Sequence, residues 1–319
     1  MFVQGKKAVG RIHFVIFATA ATVALPVAAD GTRHLYVNEK ITLGINAGVL
    51  SGQTHERVYE PEEGGRKVSQ LDWKYNNAAV IKGSLDWNVR PWVSLGASGW
   101  TTITDKSGYM NDDDWVDASQ SQWTDRAVHP NTTLRYANEF DINLKGWLLN
   151  EPAYRLGVMA GYQERRFSFI AKGGSFSYNN GAYTGEFPAD VTVTGYKQHF
   201  KTPYVGLVGS YRYKRFDMEG VFKYSRWASA SDIDEHYLAD KTFVGKTKHQ
   251  QYYSLGGKLG YDMTANTNIF VESTWSRTRN KKGSLTVKNR SDNYRDSYVD
   301  SAGIESSSVM TTIGLKYVF

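Results

Sequence analysis

Apolar residues alternate with small or polar residues along most of this chain. In Ile41–Val49 every odd position is apolar, and the positions between hold Thr, Gly or Asn. A period of two places the apolar side chains on one face of an extended strand, whereas a helix repeats about every 3.6 residues. Ten stretches share the pattern: 41–49, 71–75, 92–103, 140–147, 156–169, 204–213, 218–227, 252–263, 269–275 and 313–319. The sequence therefore predicts an all-β fold.

Short and long connections alternate between these strands. Four short turns carry breaker residues, and five long polar segments separate them: the turns are 88–91, 150–153, 214–215 and 264–268, and the segments are 51–67, 104–132, 171–192, 229–248 and 278–306. Bacterial outer-membrane barrels have short periplasmic turns and long outer loops. We therefore predict a ten-stranded antiparallel transmembrane β-barrel with five long extracellular loops.

Composition alone would also fit a soluble β-sandwich. Aromatic residues make up 14% of the chain, yet its mean hydropathy is −0.48. A barrel that is apolar outside and polar inside explains both values. A sandwich gives no reason for every long connection to lie at the same end. The last stretch, 313–319, ends on Phe319, as expected of a terminal barrel strand.

The first 29 residues have the features of a secretory signal peptide. A basic start with Lys6, Lys7 and Arg11 precedes a mostly apolar core, and small residues at 27–29 suit a cleavage site. A single membrane anchor is the alternative, but the apolar run is short. We expect residues 30–319 to form one exported barrel domain and to be a monomer.

Charge and cysteine content exclude several function classes. The formal net charge is +6, and removing the three basic residues of the signal segment leaves 6 − 3 = +3. This charge is mild, and no basic run is interleaved with aromatics, so nucleic acid is not an expected partner. The chain has no cysteine. Disulfides and thiolate nucleophiles are therefore excluded.

Two acidic clusters lie in long predicted loops on the outer side. One spans 110–117, and the other contains Asp232, Asp234 and His236. In an extended strand these three residues would share one face. Loops on opposite walls of a barrel can face each other, which would set Asp112 and Asp114 against Asp234 and His236.

Such a cluster has three possible chemical uses. Its hard oxygen ligands suit calcium, and its negative charge would attract a cationic substrate. It could also hold a water molecule whose proton His236 accepts, while Asp234 orients the ring. In that case Asp112 and Asp114 would hold the water from the other side, one of them protonated because close carboxylates resist double ionisation. The chain contains neither Gly-x-Ser-x-Gly nor His-Glu-x-x-His.

These clusters make the sequence similar to the omptin family of outer-membrane endoproteases. The shared signatures are Asp-x-Asp-Trp at 112–115 and Asp-x-Asp-Glu-His at 232–236. Further matching stretches run along nearly the whole chain: 63–67, 69–74, 123–125, 129–130, 138–139, 145–149, 161–164 and 314–317. The run 175–188 looks most like the plasminogen-activator branch of the family.

The resemblance implies a catalytic role for four residues. Asp234 and His236 would form the catalytic dyad, and Asp112 and Asp114 the opposing pair. This resembles an aspartic-type endopeptidase that needs no metal and no organic cofactor. Omptins cleave between paired basic residues. The pocket for the first basic side chain would then contain Glu56 and Asp232, and Asp125 would receive the second.

The resemblance also implies lipopolysaccharide as an activating lipid. The matching outer-wall residues are Tyr162, Glu164, Arg166 and Lys248. The fifth family position, usually Arg, is His199 here. Histidine is mostly neutral near pH 7 and does not bind phosphate as Arg does. We therefore expect weaker or pH-dependent lipid binding.

The leading hypothesis is an endopeptidase of the Gram-negative outer membrane, with its active site on the extracellular side. It would cleave cationic peptides and proteins at basic, preferably dibasic, sites. A second hypothesis is a non-enzymatic adhesin or cation-binding barrel whose acidic mouth only attracts ligands. An enzyme acting on lipid is a third, disfavoured because the acids lie in the outer segments.

Overall fold

The computed structural model describes residues 41–319. The predicted signal peptide, 1–29, and the start of the predicted barrel domain lie outside the described residues. Among the described residues, no helix is long and apolar enough to cross a membrane.

Twelve β-strands account for most of residues 41–319. They are β1 (Ile41–Glu60), β2 (Arg66–Arg90), β3 (Val93–Thr102), β4 (Lys106–Asp114), β5 (Asp125–Asn150), β6 (Tyr154–Tyr178), β7 (Tyr183–Tyr213), β8 (Phe216–His236), β9 (Lys241–Asp262), β10 (Thr267–Thr278), β11 (Lys282–Asn289) and β12 (Tyr294–Val318). Single 3₁₀ turns lie at Pro61–Glu63 and Tyr237–Ala239.

The strands form a closed antiparallel ring. Strands β3 and β4 both pair with β2 and β5, and strands β10 and β11 both pair with β9 and β12. In each case the two short strands follow one another along a single position of the ring. The twelve strands of residues 41–319 therefore form a ring with ten strand positions. The ring closes between the first and last strands, with Leu43 opposite Tyr317. Closure leaves no unpaired strand edge. This matters in a membrane because lipid cannot form hydrogen bonds with the exposed N–H and C=O groups of an edge. The predicted ten-stranded barrel is confirmed.

The wall is apolar outside and polar inside. On β1, Leu43, Ile45 and Val49 are exposed on the outer face, whereas Asn46 is buried inside and donates to Thr312 at 2.6 Å. Ion pairs such as that between Lys223 and Asp141, at 2.7 Å, lie in the interior of the barrel. The period-two alternation thus separates a lipid-facing surface from a hydrogen-bonded lumen.

An aromatic cluster closes the interior beneath the extracellular end. Trp73 is fully buried and stacks on Tyr196, with ring centroids 5.3 Å apart and an interplanar angle of 7°. Phe169 packs against both rings. Such contacts fix the positions of the strands that carry them. This cluster directly adjoins the acidic residues described below.

The five long connections are present, but the strands continue far into them. Strand β1 runs to Glu60, β8 runs to His236, and β4 carries Asp112 and Asp114. Placing the two acidic clusters in loops was therefore wrong. Polarity suggested loops, but polar side chains above a membrane do not break a hydrogen-bonded ladder. The extended ladder gives these side chains a fixed direction, which a loop would not.

Candidate active site

Strand β8 places three of the predicted residues on its inner face. Asp232 and Asp234 are only 2% and 1% exposed, and His236 is half-buried beside them. Ile233 points outward and is 42% exposed. The shared face expected from an extended chain is confirmed.

Two neighbours hold the His236–Asp234 pair. The Nε2 atom of His236 lies 2.5 Å from Oδ2 of Asp234. The other carboxylate oxygen, Oδ1, accepts a hydrogen bond of 2.8 Å from the Thr194 hydroxyl on β7. The ring of Phe243 contacts the imidazole edge-on, with centroids 5.2 Å apart. The imidazole is therefore held through Nε2, which leaves Nδ1 as the nitrogen that can act on a substrate.

Strand β4 supplies the opposing carboxylates. Asp113 turns away from Asp112 and Asp114 and is bound by both Nε and Nη2 of Arg126, at 2.5 and 2.8 Å. Asp112 and Asp114 therefore face the interior, where Asp114 accepts a hydrogen bond from Ser69. One oxygen of Asp112 is buried without a hydrogen-bond partner among the described residues. An unpartnered carboxylate oxygen is free to bind water or substrate.

Electrostatic coupling shows that β4 and β8 meet across the barrel. Burial lowers the pKa of His236, but Asp234, Asp112 and Asp114 outweigh it and raise this pKa to about 9. The pKa of Asp112 is raised well above its ordinary value, mainly by burial and by the charge of Asp114. Near neutral pH the site thus holds an imidazolium that faces Asp112 and Asp114, two carboxyl groups that resist full ionisation.

Glu56 and Asp232 are two buried carboxyl groups beside the dyad. Glu56 is 3% exposed, and its Oε2 has no partner among the described residues. Burial and the charges of Asp234, Asp232 and Asp112 raise its pKa well above the ordinary value. Burial raises the pKa of Asp232 to about 7, even though two hydrogen bonds favour its charged form. A cation placed beside these two carboxyl groups would favour their ionised forms.

The two hydrogen bonds of Asp232 come from neighbouring strands. Its Oδ2 accepts from the Tyr196 hydroxyl at 2.9 Å, and its Oδ1 accepts from the Gly245 amide at 2.8 Å. Any side chain at position 245 would collide with Oδ1 of Asp232, so glycine is needed there. Gln198 supports the arrangement by donating to Tyr196 at 2.6 Å. Neither these residues nor Thr194 was found from the sequence, since none carries a motif of its own.

Asp125 lies at the start of β5, on the rim of the site. Its two oxygens accept hydrogen bonds from the Thr124 hydroxyl at 2.6 Å and from the Asn179 amide at 2.8 Å. It also adds negative charge near Asp114. A role for Asp125 in binding the second basic side chain stays a prediction.

The predicted lipid-binding residues lie on the outside of the wall. Glu164 accepts hydrogen bonds from Tyr162 at 2.7 Å, from Arg166 at 3.0 Å and from Nε2 of His199 at 2.8 Å. These four residues thus form one cluster on β6 and β7. Lys248 lies on β9, separated from β7 by β8. Lipid binding by the five residues stays a prediction.

Within residues 41–319, no group of three or more His, Asp or Glu side chains has an arrangement that could hold a metal ion. The site holds an oriented imidazole, a facing carboxyl pair, and the two buried carboxyl groups of Glu56 and Asp232. These are the elements for activating water next to a bound cationic side chain.

Comparison with known proteins gives consistent matches over the whole described barrel. The family model for the Omptin family matches residues 37–319. The outer membrane protease OmpP of Escherichia coli is 54% identical over 286 residues, which cover 88% of this chain and 91% of OmpP. The plasminogen activator of Yersinia pestis is 44% identical over 308 residues, which cover 95% of this chain and 98% of that protein. The local likeness of 175–188 to the plasminogen-activator branch therefore does not extend to overall identity.

Among solved structures, the crystal structure of the outer membrane protease OmpT from Escherichia coli is similar throughout. It superposes with a TM-score of 0.86 at 52% identity, covering 88% of this chain and 97% of OmpT.

Proposed function

Because this chain belongs to the omptin family and is therefore an outer-membrane protease, we propose that it is an endopeptidase selective for basic, preferably dibasic, sites. Water activated by His236 and Asp234 would attack the peptide bond. The observation that carries the proposal is that two buried carboxyl groups, Glu56 and Asp232, lie beside a His–Asp pair. We propose that they form an anionic pocket for the substrate. Selectivity and catalysis would thus depend on one connected set of charges.

The substrate's basic side chain enters between Glu56 and Asp232. Both carboxyl groups have raised pKa values in the empty site, so an incoming guanidinium favours their ionised forms. An Arg side chain can also bind carboxylates with two parallel hydrogen bonds. The gain in binding free energy is therefore specific for a cationic side chain and small for an uncharged one.

The same cation prepares the base. His236 has a pKa of about 9 because of surrounding carboxylates, so it is mostly protonated near neutral pH in the empty site. A cationic side chain placed among those carboxylates opposes their field and lowers the pKa of His236. Binding of a basic residue would thereby release the imidazole as a general base.

In the catalytic step, a water molecule lies between Nδ1 of His236 and the carboxyl groups of Asp112 and Asp114. His236 accepts its proton, and Asp234, held by Thr194, stabilises the resulting imidazolium. The protonated member of the carboxyl pair donates a hydrogen bond to the substrate carbonyl oxygen. His236 then protonates the leaving amine, and no covalent intermediate forms.

Cleavage of a dibasic peptide tests the assignment. The barrel is refolded with lipopolysaccharide and given a fluorogenic peptide containing Arg-Arg, and His236→Ala is compared with wild type. His55→Ala is the matched control, because His55 also pairs with a carboxylate at 2.5 Å but on the opposite face of β1 from Glu56. We expect only His236→Ala to lose activity.

Two results would count against the proposal. No cleavage by wild-type protein would favour the alternative of a non-enzymatic adhesin or cation-binding barrel. Equal cleavage by wild type and His236→Ala would remove His236 from the mechanism.

Lipopolysaccharide is the proposed activating lipid, bound by Tyr162, Glu164, Arg166, His199 and Lys248. The contact of His199 with Glu164 supports the outer wall as the binding face. Activation by lipid is compared at about pH 5.5 and about pH 7.5, because histidine is the side chain whose charge commonly changes in this range. Activation that is independent of pH would show that the charge of His199 does not limit lipid binding.

A further inference from the structure

A cavity of about 330 Å³ lies in the barrel lumen, at the end of β8 opposite to the dyad. The exposed turn 264–266, between β9 and β10, forms part of its mouth on the periplasmic side. The ion pairs of Lys145 with Asp86 and of Lys258 with Glu219 lie in its walls. One water molecule needs about 10–15 Å³ of such volume. The cavity therefore has room for an ion together with several water molecules.

Basic side chains outnumber acidic ones around this cavity. Its lining within residues 41–319 contains six basic residues and three acidic ones: Lys145, Arg155, Arg212, Arg215, Lys258 and Lys316, and Asp86, Glu219 and Asp262. Behind the lining, Asp217 pairs with Lys316 at 2.5 Å. Even with this fourth carboxylate, positive charge is in excess, and a walled space with one sign of charge attracts counter-ions.

Arg212 differs from the lysines of the lumen. Lys223 and Lys258 contact the carboxylates of Asp141 and Glu219 at 2.7 and 3.2 Å. Arg212 is only 8% exposed, yet its Nε is buried without a hydrogen-bond partner among residues 41–319. A buried cation is costly unless a partner compensates for the water that it has lost. Arg212 is therefore the side chain of this cavity that most needs an anion from solution.

A second guanidinium group lies beside Arg212. Arg155 on β6 pairs with Ser210 on β7, two residues before Arg212, so both arginines are on the inner face as diagonal neighbours. The Arg155 guanidinium lies over the Trp147 ring, 3.6 Å from its centroid, which fixes its orientation. Stacking uses the face of a guanidinium, whereas hydrogen bonds use its N–H edge. The two groups can thus bind one anion from adjacent positions.

Arg215 places a further positive charge at the mouth. Its Nε and Nη2 donate to the carbonyl oxygens of Asp262 and Met263 at 2.8 and 2.7 Å. These two contacts hold the exposed guanidinium against the end of β9. A cation fixed at the entrance raises the local concentration of anions that approach from the periplasm.

We propose that this cavity binds an inorganic phosphate ion that enters from the periplasm. Arg155 and Arg212 can each direct paired N–H groups at an oxyanion, and phosphate has enough oxygens for both. A carboxylate has only two oxygens and suits a single guanidinium. The closed wall separates the cavity from lipid, so its ligand comes from solution. The site requires only the folded barrel and is independent of the proposed peptide cleavage.

The test measures binding of radiolabelled inorganic phosphate to the refolded barrel by equilibrium dialysis. Detergent without lipopolysaccharide is used, because that lipid carries phosphate groups of its own, and sodium chloride keeps the ionic strength constant. Arg212→Gln removes the buried charge, and Arg212→Lys keeps the charge but loses the paired donors. The matched control is Arg135→Gln, which removes a cation that is exposed outside the cavity.

We expect wild type to bind one phosphate ion per barrel and Arg212→Gln to bind it about tenfold or more weakly, because charge-assisted hydrogen bonds are lost. Arg212→Lys should lie between them, and the control should stay within about twofold of wild type. Wild-type protein that binds no phosphate overturns the proposal, as does equal affinity of wild type and Arg212→Gln. If Arg212→Gln does not refold, equal affinity of wild type and Arg212→Lys overturns it instead. Displacement of phosphate by an equal concentration of acetate would refute the assignment to phosphate.

Discussion

Replacing Thr194 with Val tests whether the dyad depends on the support that β7 gives to it. Thr194 is 2% exposed, and its hydroxyl donates to Oδ1 of Asp234 at 2.8 Å. Val has nearly the same shape, so the substitution removes the hydrogen bond with little change in packing. Asp234 would keep its contact with His236 but lose the donor on its other oxygen.

The expected effect follows from the strength of that bond. A hydrogen bond to a charged group contributes about 1.5–3 kcal/mol. Each 1.36 kcal/mol in the barrier is about tenfold in rate. If the whole contribution is felt in the transition state, kcat falls by about 10- to 150-fold, and KM changes little because Thr194 does not line the basic pocket.

The assay follows kcat and KM for an Arg-Arg peptide across pH. Without this donor, the negative charge of Asp234 acts more strongly on His236 and raises the pKa of the imidazolium further. The rising limb of the rate profile should move to higher pH in Thr194→Val and return in Thr194→Ser. Unchanged kcat, or a fall in kcat without a shift of the limb, would refute the idea that Thr194 acts through the dyad.

Three further perturbations test other parts of the site and wall. Glu56→Gln keeps the shape of a buried side chain but removes its charge, so kcat/KM for an Arg peptide should fall by about tenfold or more. A peptide with an uncharged side chain at the same position is the comparison. Equal losses of kcat/KM for both peptides would argue against a role of Glu56 in specificity. The pKa of Asp232 is raised to about 7, so its charge is lost as pH falls through 7. Preference for Arg over an uncharged side chain should then drop up to about tenfold per pH unit below 7, and Asp232→Asn should abolish this dependence; a pH-independent preference in wild type would contradict it. Asp141→Asn leaves Lys223 without its buried partner and should lower the free energy of unfolding of the barrel by about 3–5 kcal/mol. The measurement is the unfolding temperature in detergent, which should fall. An unchanged unfolding temperature would show that other lumen groups compensate.

Strand periodicity was readable from the sequence because it depends only on neighbouring residues. The alternation in Ile41–Val49 separates lipid-facing from lumen-facing side chains, and the same period sets Asp232, Asp234 and His236 on one face. The regular order of short and long connections then gave the number of strands. Polarity was a poorer guide, since it marked the extracellular ends of β4 and β8 as loops.

Contacts across the barrel were decided by the tertiary structure. Asp112 and Asp114 affect His236 only because ring closure brings β4 opposite β8. The supports of the site, Thr194 and Gly245, come from the two strands that flank β8 and depend on its register with each of them.

The pairing of β8 with β9 shows the same difference between local and long-range effects. Local periodicity predicted strands at 218–227 and 252–263. At the extracellular end of their paired part, between Ser225 and Ala230 of β8, the register with β9 shifts by one residue and then shifts back. Side-chain direction along a strand is a local property, fixed by the chain's own alternation. Register and closure depend on pairing between distant residues, so the grouping of the charged side chains around His236 was determined only in the folded barrel.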